Sequence, residues 1–199
     1  MYSIQSASAL FLSAPESVAN GVCVRRCGRC RAEVRRGDHG LVALAHCRLR
    51  PEYEAAAYAD LEDLLAAEPA PLVVNLTSHG AHADVTAACL EAGRHVFSEK
   101  PLALDAERAA KLVAIAERRG LALGCAPINH RCDAQRHART LLGDGRLGSV
   151  RLGYAHAHVG RVTDWHDNPE SFLSVGPLYD GAVYPLSLLI AWFGPVEAI

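Results

Sequence analysis

Between Gly21 and Cys125 short apolar runs alternate with longer stretches in which apolar positions recur at three and four. Buried strands and amphipathic helices produce these two periods, and their alternation is that of βαβ units. Strands are predicted for Val22 to Arg26, Leu41 to His46, Leu72 to Leu76, His95 to Phe97 and Leu121 to Cys125. Helices are predicted for Glu52 to Ala57, Asp60 to Ala67, His82 to Ala92 and Asp105 to Arg119. LVVNL and LALGC are nearly all apolar, as strands covered on both faces of a parallel sheet must be. Asp60 and Asp105 stand where helix caps belong, and Gly93 and Gly120 where helices close.

After Cys125 the pattern changes. Asp133 to Gly143 predicts one more helix, Gly145 and Gly148 break the chain, and Ser149 to Val159 alternates with period two, as a strand with one solvent face does. A loop from Asp164 to Ser174 leads to Gly176 and Pro177, which open an apolar helix from Leu178 to Phe193 closed by Gly194 and Pro195. Pro185 falls inside that helix and should kink or loosen it. The expected organisation is a loosely ordered leader over 1–20, an α/β domain with a doubly wound parallel sheet over 21–130, and the start of a second, α+β domain over 131–199. One strand and one helix leave unpaired edges and too little buried area for a stable sheet domain, so a fragment of a longer reading frame is expected.

Composition narrows the classes. Of 199 residues half are apolar, and the formal net charge is −2, which fits a globular protein without a nucleic-acid-binding face. No apolar run approaches the roughly 20 residues of a bilayer span, so no membrane partner is expected. No Lys or Arg precedes the apolar run Ala7 to Ala14, which speaks against a secretory signal. The seven cysteines are odd in number and four of them, Cys23, Cys27, Cys30 and Cys47, crowd the first quarter, so reduced thiols and a cytoplasmic location are expected. Cys23, Cys27 and Cys30 also have a C-x3-C-x2-C spacing that can hold an iron–sulfur cluster, and Cys27, Cys30, Cys47 and His39 are a conceivable zinc set. Free cysteines without a metal are the expected state; an iron–sulfur or zinc protein is the remote alternative.

The chemistry concentrates at RHVFSEKP, Arg94 to Pro101. A short strand there delivers Glu99, Lys100 and Pro101 to its C-terminal end, where open α/β sheets hold their ligands. Together with ADLEDLL (59–65), NLTSHGAH (75–82), LEAGRHVFSEKPLAL (90–104), DGRLGSV (144–150) and GPLYDGAVYPLSLL (176–189), this segment resembles the Gfo/Idh/MocA family of NAD(P)-dependent oxidoreductases.

That resemblance implies that 21–130 is a Rossmann-type dinucleotide-binding domain and 131–199 the start of a substrate and dimerisation domain, with a nicotinamide cofactor, a small sugar-like substrate and, for full-length relatives, a homo-oligomer. It assigns Lys100 to both the nicotinamide ribose and the substrate, and often a cis bond to Pro101. It matches Asp180 and Tyr184 to the Asp and His of the family's substrate helix, with Tyr in place of the usual His as in some members that use it as proton donor, and a spacing of four puts the two side chains on one face. A phenol, with an ordinary pKa of about 10, needs an ammonium such as Lys100 nearby to exchange protons near neutrality. A core aromatic with its hydroxyl satisfied is the other reading of Tyr184. Asn75, Leu76, Thr77 and His82 match the segment under the nicotinamide and ribose; His82 is equally readable as a first-turn residue of its helix. Glu99 is expected to hold Lys100 or the ribose, with an exposed Glu of no consequence as the other reading; Trp165 and His166 match a loop near the substrate pocket of a subset of the family, His166 being otherwise a plain loop histidine; and His79 is expected in an exposed loop. The dinucleotide fingerprint is degenerate. Arg26 to Arg31 keep only the middle glycine, Gly28, with Arg29 beside it. His46 stands where an acidic ribose ligand is expected and Arg48 follows, which favours NADP over NAD. His156 and His158, two apart in the predicted strand, are expected to face solvent rather than a metal. A catalytically inactive Rossmann-fold binding protein is the main alternative.

Overall fold

The computed structural model describes residues 9–12, 22–23, 57–58, 60–158, 160–164 and 169–198. The chain forms two compact units, Met1–Cys125 and Ala126–Ile199.

In the first unit, β1 (Ala9–Leu12), β4 (Leu72–Asn75), β5 (His95–Ser98) and β6 (Leu123–Cys125) form one sheet in that order, while β2 (Val22–Cys23) and β3 (Ala57–Tyr58) form a separate pair. Every neighbouring pair in the larger sheet is parallel, with Val73 facing Leu10 on one side and Val96 on the other. The order 1-4-5-6 is that of one half of a Rossmann sheet counted from its central strand. The crossovers are α2 (His82–Glu91) between β4 and β5 and α3 (Ala106–Arg119) between β5 and β6; α1 (Leu61–Ala67) precedes β4.

Two expectations are corrected here. The strand beside β4 is Ala9–Leu12, inside the expected leader, whereas Val22–Cys23, the described part of the predicted strand Val22 to Arg26, lies in the antiparallel pair. An uninterrupted apolar ALFL suits a covered parallel strand; VCVRR ends in two arginines that such a strand could not bury. Ala57, expected to close a helix, lies in β3. Leu41 to His46 and the rest of that helix lie outside the described residues.

The core lies between sheet and helices. Leu64 of α1, Val73 of β4, Cys89 and Leu90 of α2, Val96 of β5 and Ala116 of α3 are buried together, the larger side chains each contributing about 1.5–3 kcal/mol over an exposed position. Helix ends follow local chemistry. Asp60 accepts the Asp63 amide at 2.9 Å and Asp105 the Arg108 amide at 2.7 Å, while Gly120 closes α3 at φ 64°. The C-terminus of α1 has no basic residue of its own. Arg94, just before β5, donates from Nη2 to the Leu65 and Glu68 carbonyls at 3.1 and 2.9 Å and satisfies them.

The second unit is helical among its described residues: α4 (Asp133–Gly143), α5 (Glu170–Pro177), a π-helical turn (Leu178–Ala182) and α6 (Val183–Phe193). Residues 149–158, predicted as a strand, are unpaired and exposed. Alternation prepares a pleat, but no strand of this unit among the described residues lies beside it to complete a ladder. His156 and His158 stack face to face with centroids 6.0 Å apart, both exposed. Helix α5 begins within the expected loop, and the chain breaks at Gly176 (φ 73°, ψ 173°) before the π turn. The loosening expected of Pro185 falls in that turn, because its ring crowds the carbonyl four residues back, at Gly181. The stretch Phe172–Phe193 is, by length and composition alone, sufficient to cross a bilayer, which corrects the expectation that none is; it is interrupted at Gly176 and carries Asp180.

Candidate functional site

The C-terminal ends of β4, β5 and β6 build one rim. At its base Asn75, fully buried, uses both ends of its amide: Nδ2 donates to the His82 carbonyl and to Thr86 Oγ1, each at 3.0 Å, and Oδ1 accepts the Thr77 amide at 3.2 Å and the Thr77 hydroxyl at 2.7 Å. This knot sets the path of the loop between β4 and α2. The Asn75 carbonyl in turn accepts the Glu99 amide at 2.8 Å, tying that loop to the one after β5.

There Glu99 Oε2 accepts the Lys100 amide at 3.1 Å, and the Lys100–Pro101 peptide is cis, as the resemblance implied. The Glu99 carbonyl receives the Ser98 hydroxyl at 2.9 Å and the Cys125 thiol at 3.6 Å. Burial, and then the Glu99 carboxylate, push the Cys125 thiol up to about 11, so it remains S–H and acts as a donor.

His82 is enclosed, 1% exposed, with Nδ1 2.7 Å from the Pro101 carbonyl and Nε2 2.7 Å from the Thr77 carbonyl. His79, expected in an exposed loop, is buried instead, its ring 5.9 Å from that of His82; the short 3-10 turn His79–Ala81 folds it inward.

The predicted residues therefore divide. Leu76, Glu99 and Lys100 are partly exposed at the rim, with Leu76 at 38%. Asn75, Thr77 and His82, expected among the cofactor contacts, have their side chains beneath the rim and hold it together. In the second unit Asp180 lies half-buried in the π turn and Tyr184 is exposed in the first turn of α6. Gly28, Arg29, His46, Arg48, Trp165 and His166 lie outside the described residues, as do Cys27, Cys30, Cys47 and His39 of the metal alternatives. Thr86 and Cys125 were missed by sequence reasoning. Thr86 had a signal: it is the polar residue one turn after His82 on a helix whose facing positions are apolar.

A parallel sheet in this order, with crossover helices and a polar loop at the carboxyl end of each strand, is one half of a nucleotide-binding Rossmann domain. Residues 42–126 match the family model described as oxidoreductase family, NAD-binding Rossmann fold. Through this segment the chain is similar to the Gfo/Idh/MocA oxidoreductases. Bovine trans-1,2-dihydrobenzene-1,2-diol dehydrogenase is 30% identical over 80% of this chain and 49% of its own length. The 1,5-anhydro-D-fructose reductase of Ensifer adhaerens is 33% identical over 56% of this chain and 34% of its own. Among solved structures, an inositol dehydrogenase homologue from Azotobacter vinelandii, complexed with NADH and myo-inositol, superposes with a TM-score of 0.58 at 30% identity, covering 68% of this chain and 38% of that one. The chain spans about half the length of the dihydrodiol dehydrogenases it matches.

The rim's donor set fits a nicotinamide riboside. Leu76 offers an apolar surface to a ring face, while the Glu99 carboxylate and the Lys100 ammonium offer an acceptor and donors of the kind that ribose hydroxyls take.

Proposed function

We propose that this chain is the nucleotide-binding part of an oxidoreductase that transfers a hydride between NAD(P) and a carbinol carbon of a sugar, polyol or related diol. The observation that carries the reading is Lys100, partly exposed at the carboxyl end of β5, with its backbone fixed by Glu99, inside the segment that matches the family. Leu76, Glu99 and Lys100 would hold the nicotinamide riboside, which supplies the hydride acceptor when bound. The Lys100 ammonium stabilises the alkoxide-like charge that grows on the carbinol oxygen, a contact stronger in the transition state than in the ground state. Arg48, following a position that lacks an acidic ribose ligand, favours NADPH.

The test is titration with NADPH and NADH, followed by nicotinamide fluorescence, then turnover with trans-1,2-dihydrobenzene-1,2-diol and myo-inositol as probes. Saturable binding is expected, tighter for NADPH. Lys100→Ala should abolish turnover while weakening nucleotide binding far less, and unchanged turnover overturns the role of Lys100. A second reading, an inactive Rossmann-fold binding protein, is favoured by the single glycine retained between Arg26 and Arg31; failure of both nucleotides to bind would establish it.

A further inference from the structure

His82 has a role that the proposed chemistry leaves unassigned. Its ring spans two adjacent loops, facing the Thr77 carbonyl after β4 with Nε2 and the Pro101 carbonyl after β5 with Nδ1. Both partners are carbonyl oxygens, which only accept; a neutral imidazole donates to one of them and an imidazolium to both. The ring is nearly inaccessible and the backbone beneath it is fixed, since the His82 carbonyl accepts from Asn75 Nδ2. Pro101 is buried too. Lys100 is thereby pinned from both sides: its amide by the Glu99 carboxylate, and the peptide after Pro101 by the imidazole.

We infer that His82 is a positioning residue that donates from Nδ1 to the Pro101 carbonyl and holds Lys100 in register with the nicotinamide site. The inference rests on the proposed oxidoreductase reading for its functional consequence, though not for its structural one. Because His82 is enclosed, it acts through Lys100 and touches neither nucleotide nor substrate. Losing a bond to a buried carbonyl leaves an unsatisfied acceptor that the turn can relieve only by moving.

Two conservative variants separate the bonds. An asparagine amide nitrogen falls near the place of Nδ1, so His82→Asn can restore the bond to Pro101; a glutamine nitrogen falls near Nε2, so His82→Gln can restore only the bond to Thr77. In the whole chain, the readouts are hydrogen exchange of the Lys100 amide, nucleotide affinity by fluorescence, and kcat and KM with myo-inositol and trans-1,2-dihydrobenzene-1,2-diol. His82→Gln should speed Lys100 amide exchange and lower kcat by about tenfold each, the scale of one lost hydrogen bond, with nucleotide affinity within about twofold. His82→Asn should recover most of both, and exchange at Val96 in β5 should stay unchanged in both variants. Recovery by Gln and not by Asn overturns the inference, as does unaltered Lys100 exchange in both variants. If exchange responds as expected but the parent protein turns over neither probe, the brace is supported and the oxidoreductase reading alone fails.

Discussion

Replacing Asn75 by alanine should unsettle the rim more than any surface change near it. The substitution removes four hydrogen bonds at once and leaves the Thr77 amide, the Thr77 and Thr86 hydroxyls and the His82 carbonyl short of a partner in a fully buried place. Each orphaned buried group costs roughly 1–3 kcal/mol, but the two hydroxyls can rotate and the His82 carbonyl can keep a helical partner, so the net loss is set mainly by the amide at about 1–3 kcal/mol. Against a total of roughly 5–15 kcal/mol, that is a large share. Urea unfolding followed by far-UV circular dichroism measures it. With a slope of about 1–3 kcal/mol per molar urea, the midpoint should fall by roughly 1 M at unchanged slope. Asn75→Asp is the sharper comparison. It keeps the shape and the acceptor for Thr77 but turns an oxygen toward the His82 carbonyl and buries a charge, so it should be at least as destabilising. An aspartate variant as stable as the parent, or a midpoint unmoved in the alanine variant, would refute the account of the knot.

Three further outcomes are expected. A Cβ at Gly124 would sit 2.9 Å from Phe97 Cδ2, so Gly124→Ala should lower stability by about 1–3 kcal/mol, and pairing it with Phe97→Leu should recover part of that in thermal melts. Burial raises the Cys89 thiol from 9.0 to about 12 against a smaller opposing pull from Arg94; the folded state then keeps a proton that the unfolded chain releases, and stability should fall as pH rises from about 9 toward 12, a slope that Cys89→Ala removes in urea titrations at stepped pH. Asp105→Ala should cost about 1 kcal/mol by leaving the Arg108 amide uncapped, whereas Asp105→Ser should cost much less, read from the same melts.

Much of the first unit was legible because its signals are local. Caps at Asp60 and Asp105, glycine closures, and apolar runs of the right length located α1 to α3 and β4 to β6 within a few residues. The first strand was misplaced because two apolar runs, ALFL and VCVRR, stand near each other and only long-range pairing with β4 separates them. Residues 149–158 carry a strand's alternation without a neighbouring strand among the described residues, and no local pattern encodes a neighbour's presence. At the site, Lys100 could be placed from its strand and its proline. The roles of Asn75 and His82 could not, since a polar residue reads alike whether it faces a ligand or two backbone carbonyls, and only burial tells them apart.

The clasp on α1 bears on how the chain is built. The carbonyls at the end of that helix are satisfied from 29 and 26 residues downstream, by Arg94. In a nascent chain those carbonyls would be left to water until the segment carrying β4 and α2 has left the ribosome and Arg94 can reach them. A nascent chain halted before Arg94 should expose α1 to proteases that spare it a few residues later.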